Sequence, residues 1–173
     1  PFTIENDDGS SFTIPAGAEL SQNPDGTGLI TAPGMVMQSG DLQFISGEAT
    51  VILGENIDNL YFETLNISQG DSDLFAMEEV NAQIDTENQS SIFEAQSATV
   101  NFSNGNVVFE NTTMAFAPGS TVISAGTMLM ENGNDQFSME GFSFSQELNE
   151  DTATTSLVGD NTVMTFGENI FNA

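Results

Sequence analysis

The chain has no Lys, no Arg, no His, no Cys and no Trp in 173 residues. Each absence removes a class of function. Phosphate contacts usually come from Lys and Arg, so no nucleic acid is expected as a partner. The anionic faces of membranes repel such a chain for the same reason. Without His, Lys or Cys, the usual bases that activate a nucleophile are missing. Without Cys there is neither a disulfide nor a thiolate metal centre. No apolar run approaches the roughly 20 residues that a membrane-spanning helix needs, so no transmembrane segment is expected.

What remains is acidic. There are 26 Asp and Glu residues and a net charge of −26. Lys and Arg ordinarily make up roughly one residue in eight or nine, so their chance absence has a probability on the order of 10⁻⁹. Acids, at 15% of the chain, are only modestly enriched. The composition is therefore depleted of cations more than it is enriched in anions. No side-chain salt bridge is possible. Folding confines like charges, and the resulting self-repulsion is relieved by salt or bound cations. Trypsin-type cleavage sites are absent too. With zero Cys, this points to an extracellular or periplasmic location, at or near a cell surface. No leader segment is visible, and a mature chain would have lost one. At 38% hydrophobic residues, including 14 Phe and 8 Met, the chain has material for a core. The length suits one domain over residues 1–173.

The order of the residues is strand-like. SATVNFSNGNVVFENT, from Ser97, reads as a hairpin around Asn104-Gly105. A two-residue Asn-Gly loop predicts that Ser103 pairs with Asn106, Phe102 with Val107 and Val100 with Phe109. Val100, Phe102, Val107 and Phe109 then share one face, and Thr99, Asn101 and Glu110 the other. The same grammar recurs in ITAPGMVM from Ile30, FISGEATV from Phe44, FAMEEVNA from Phe75 and FEAQSATV from Phe93. It continues in FENTTMAF from Phe109, ISAGTMLM from Ile123 and FSMEGFSF from Phe137. Each has an apolar residue, another apolar or small residue two later, then more at five and seven. LYFETLNI, near Phe62, is a degenerate copy. QSGD, SQGDSD, SNGN and ENGND supply turns between copies. NEDTATTS, from Asn149, is the least apolar stretch and reads as a loop. Alternation of period two with turns at this spacing predicts an all-β fold, an antiparallel repeat-built jellyroll or open β-roll. A parallel β-solenoid is the alternative, because repeats are its signature.

NDDGSSFTIPAGAEL from Asn6 and LITAPGMVMQSGDLQFISGEATV from Leu29 resemble the periplasmic lipopolysaccharide-transport β-jellyroll proteins, the OstA-like group. The matching residues are Asp8-Gly9, Phe12, Ile14 and Ala16, then Thr31, Ala32, Met35, Met37, Leu42, Phe44 and Gly47. Weaker copies continue to about Phe144. The resemblance implies a V-shaped antiparallel jellyroll, open at both ends, whose subunits stack edge to edge. It also implies an acyl-lined groove, here with inward residues such as Phe44, Phe102, Phe109 and Phe137. Family members that handle lipopolysaccharide meet phosphates, and this chain has no cation to offer them.

Candidate chemistry is sparse. Paired carboxylates arise by chance among so many acids, and no spacing stands out, so no enzyme is expected. Acidic turns suit Ca²⁺. Asp7 and Asp8 in NDDG, and Asp71 and Asp73 in GDSD, are the candidate ligands. The same residues are also simply turn formers. The hydrophobic interior or groove is assigned to Phe44, Val100, Phe102, Val107, Phe109 and Phe137. A filament or surface layer built from this chain would join through exposed strand edges. Phe2, Ile4, Phe12, Ile14, Val163, Phe166 and Ile170 in the terminal strands are assigned to that joint. The expected partner is therefore the chain itself, with a lipid in the alternative reading of a periplasmic lipid-binding bridge.

Overall fold

The structure is a computed structural model that describes residues 1–5, 9–22, 24, 26–149, 152–166 and 169–172. All of its regular structure is β. Fifteen strands form one sheet, and every pairing within it is antiparallel. The parallel solenoid is thereby excluded. Among the described residues there is no helix, and hence none that crosses a membrane.

The sheet is a meander of long rungs. β8 (Ile57–Gln69), β9 (Ser72–Asp85), β10 (Ser90–Phe102), β11 (Gly105–Ala117), β12 (Ser120–Asn132), β13 (Asp135–Asn149) and β14 (Thr152–Phe166) follow one another as neighbours. Earlier rungs are each split into two pieces. β6 (Leu42–Ser46) and β7 (Ala49–Leu53) lie end to end along β8. β5 (Met35–Ser39) lies beside β6, and β4 (Gly28–Ala32) beside β7. β2 (Ser11–Ile14) and β3 (Glu19–Gln22) form the next rung. β1 (Phe2–Glu5) pairs with β2, and β15 (Asn169–Asn172) pairs with β14.

The repeat in the sequence is a corner in each rung. Alternating side chains recur every two residues along a strand. At the centre of each repeat the step is three, so two successive residues face outward between two inward ones. Met77-Glu78-Glu79-Val80 shows this: Met77 and Val80 are buried, at 3% and 0%, while Glu78 and Glu79 are exposed. Met139-Glu140-Gly141-Phe142 does the same. The corners are in register. Gly47 donates its N–H to the Thr64 carbonyl at 3.0 Å, and Glu63 to the Glu48 carbonyl at 2.9 Å. Glu79, Asn111 and Gly141 turn the corner with φ of 49°, 51° and 58°. The sheet therefore folds along one line into two wings. Wing I carries β3, β4, β7 and the adjoining halves of the long strands. Wing II carries β1, β2, β5, β6, β15 and the other halves.

This geometry corrects two repeat assignments. LYFETLNI is a full copy, with Leu60, Phe62, Leu65 and Ile67 all on the inner face around the Glu63-Thr64 corner. The copy placed at Phe109 instead begins at Val107, because the corner falls between Phe109 and Thr112.

The core sits inside the corner. Ala49, Phe62, Val80, Ala95, Thr112, Ala125 and Phe142 are buried on the wing I side of the line. Ser46, Met77, Ala98 and Met139 are buried on the wing II side. Residues of both wings belong to one apolar cluster, including Val51, Phe62, Met77, Val80, Ala98 and Met114. Phe109 and Phe142 meet from opposite sides of the corner, with ring centroids 5.3 Å apart.

The turns lie where the sequence places them, with one slip of register. The 97–112 hairpin pairs Phe102 with Gly105 and Val100 with Val107, so the loop is Ser103-Asn104. A Cβ at position 105 would collide with the Glu131 carbonyl of β12. Gly105 is thus used for close approach of two strands instead of for a left-handed loop. A slip of two residues leaves every side chain on its expected face. NEDTATTS is corrected more fully: β14 begins at Thr152 and is paired to β13 from there onward. Its Thr-rich composition suits a strand, and pairing with Leu148 and its neighbours fixes it.

Candidate functional site: the open edges of an apolar trough

Two inward rows cross the molecule beyond the core. In wing I, successive register partners run Leu20, Ile30, Val51, Leu60, Ala82, Phe93, Met114, Ile123, Phe144 and Leu157. In wing II they run Phe12, Met37, Phe44, Ile67, Phe75, Val100, Val107, Met130, Phe137 and Met164. Every member of both rows is apolar. Opposed inward positions contribute most when they match across strands, and a continuous row is the result. The wing II row is half-buried for most of its length, with Met37 and Met130 exposed. The inner face is therefore a trough whose walls are wetted away from the corner.

Four of the six residues assigned to the interior, Phe44, Val100, Val107 and Phe137, lie on that wing II row. Phe109 lies deeper, beside the corner, against Ala98 and Met128. Phe102 faces the same way but sits at the rim, 43% exposed, beside the turn.

Each end of the trough is a pair of free strand edges, one per wing. At one end these are β1 and β3, and at the other β15 and the 152–158 half of β14. Among the described residues, β1 and β15 each pair on one side only. β3 pairs only with β4, and residues 152–158 only with β13. All four residues of β3 are exposed, as is every residue of 152–158. The wing I row ends on these edges uncovered, with Leu20 77% and Leu157 61% exposed. Sheet edges are commonly guarded by charge. Residues 152–158, TATTSLV, carry none, and β15 carries none. Wing II overhangs wing I by one strand at each end, because β1 and β15 have no counterparts there.

The residues assigned to a joint divide accordingly. Phe2 and Ile4 lie in β1, and Ile170 in β15, both edge strands. Phe12 and Ile14 lie in β2, one strand inward, and pack against the core cluster. Val163 and Phe166 lie in the half of β14 flanked by both β13 and β15. These four are interior to the sheet, because β1 and β15 cover their strands. The wing I edges, with Leu20 and Leu157, were missed by sequence reasoning. The signal was present: TATTSLV is a charge-free stretch of Thr, Ala and β-branched residues. Low hydrophobicity hid it.

Among the described residues, no group of three or more His, Cys, Asp or Glu could hold a metal ion. Asp71 lies in the Gly70-Asp71 turn between β8 and β9, and Asp73 is the second residue of β9, both exposed. Asp7 and Asp8 lie outside the described residues. The acids instead line the outer side of the corner. Glu48, in the link between β6 and β7, and Glu63 and Glu79, on β8 and β9, stand side by side along it, with Glu78, Glu94, Glu110, Glu140 and Asp160 beside them. Neutral donors take the place of cations: Thr127 Oγ1 donates to Glu110 at 3.1 Å, and Asn161 Nδ2 to Glu140 at 2.7 Å. At the β9–β10 turn, Asp85 is held below its usual carboxylate range by the Asn88 side chain and then by the Asn88 backbone N–H.

No protein-family model, no characterised protein and no solved structure matches the chain.

Proposed function

We propose that this chain is a non-enzymatic, extracytoplasmic structural protein that assembles through its strand edges into a filament or a surface layer. The observation that carries this reading is the pair of free edges at each end of one open roll, with the β14–β15 end free of charge and a single Glu on each of β1 and β3. An unpaired edge is a template for another strand. Strand polarity supports a head-to-tail joint. β15 runs from the rim toward the corner and β1 from the corner toward the rim, so β15 of one copy meets β1 of the next antiparallel. Residues 152–158 and β3 meet with the same alternation. A joint through wing II leaves a slot two strands, about 10 Å, wide in wing I, flanked by Leu20 and Leu157. End-to-end stacking is also what the OstA-like resemblance implies. Salt or divalent cations such as Ca²⁺ would screen the −26 subunits as they meet. Electron microscopy of the purified protein with and without Ca²⁺ tests the reading. Elongated particles are expected, and dispersed single subunits at high concentration in both conditions would refute it.

A second reading, a lipid-binding bridge, is favoured by one observation. The wing II row exposes Met37 and Met130 along a continuous apolar wall. Native mass spectrometry separates the two readings: a co-purified acyl lipid supports the bridge, and bare subunits that polymerise support the structural role.

A further inference from the structure

The outer face of wing II carries a cleft that neither reading uses. It has a volume of about 380 Å³ and lies across β11 to β14. Its apolar floor is Val108, Leu129 and Val163, aligned through Ser138 in one outward row. Glu110 and Glu140 stand along one side, on alternate strands. Their backbones are therefore separated by about two strand spacings, roughly 10 Å. The ladder breaks beside the cleft. The β13–β14 register shifts between Ser138 and Glu140, and again between Glu140 and Ser143.

We propose that this cleft binds an aliphatic polyamine. Its ammonium groups would meet Glu110 and Glu140, and its methylene chain would lie on Val108, Leu129 and Val163. The argument is complementarity of two kinds at once. A small concave site with an apolar floor and a few placed polar groups is the usual form of a ligand site. Both placed charges are negative, and no Lys, Arg or His exists in the chain to neutralise them. No side chain of the protein supplies a cation, so the occupant brings its own. A metal ion would match the carboxylates and leave the apolar floor unused. An alkylammonium satisfies both, because its stem covers apolar surface while its head stays with the charge.

The test is titration of the isotope-labelled full chain with 1,5-diaminopentane, read by NMR, at fixed ionic strength. Mg²⁺ at equal charge serves as the counterion control. Saturable shifts at Val108, Leu129 and Val163 that Mg²⁺ does not reproduce are expected. Glu110→Gln and Glu140→Gln should each weaken binding about tenfold, the loss of one charge-assisted hydrogen bond. Glu63→Gln, on the corner but outside the cleft, should leave it unchanged. Equal weakening by all three substitutions, or equal displacement by Mg²⁺, would reduce the effect to bulk counterion binding and overturn the proposal.

Discussion

Single residues here serve geometry more often than chemistry. Thr112 is the clearest exception to its surroundings. It is 2% exposed on the buried row beside the corner, and its hydroxyl has no hydrogen-bond partner in the protein. An unpaired buried hydroxyl costs about 1–3 kcal/mol. Thr112→Val keeps the shape and removes that cost, so it should stabilise the fold by about 1 kcal/mol in urea denaturation. Asp85 behaves in the opposite sense, since its partners favour the charged form. A carboxylate with a lowered folded pKa contributes stability above its unfolded pKa, and loses it as pH falls through the folded value. Asn88→Ala removes the largest cause of that lowering. Asp85 should then titrate nearer its ordinary range by side-chain NMR, and the acid limb of the stability curve should lose this contribution.

At the scale of the element, the corner is the unit of construction. A step of three inside a period of two is enough to bend a strand. Alignment of that step across rungs folds the whole sheet. The arrangement places like charges on neighbouring strands at Glu63 and Glu79, and it puts Glu79 at φ 49°. Neither is a choice that stability favours. Glu79→Gly should therefore stabilise by about 1 kcal/mol, by relieving the left-handed backbone. Chemical denaturation checks the sign, and a loss of stability would mean that the carboxylate has a stabilising partner. The strands, their faces and most turns were legible in the sequence, because alternation and Gly-containing loops are local signals. The corner was visible as a repeat without being readable as a bend. The reason is that a three-residue step has meaning only when neighbouring strands carry it in register. The Val100–Val107 pairing was misplaced by two residues for a related cause. Gly105 answers to the Glu131 carbonyl on the next strand, 26 residues along the chain, and no local rule contains that contact. Residues 152–155 read as a loop because an edge strand needs little hydrophobicity to pair, whereas the stretch from Ser156 onward is already strand-like in sequence.

At the scale of the molecule, two facts set the behaviour: a −26 charge with no cationic side chain, and an open roll with free edges at both ends. Repulsion opposes both folding and association, and salt weakens it. The melting temperature should rise steadily with sodium chloride, as read by circular dichroism. A flat or falling response would contradict the electrostatic account. The edges then decide what the screened protein does. Sedimentation velocity at high salt measures this directly, on the wild type and on a variant with Asp at one position of every edge strand: Phe2→Asp, Leu20→Asp, Leu157→Asp and Ile170→Asp. A control with four Asp substitutions on the paired outer face matches the added charge. The wild type and the control should form elongated species that grow with concentration, and the edge variant should remain a folded monomer. A monomeric wild type under all conditions, or an edge variant that assembles as the wild type does, would contradict assembly through strand edges.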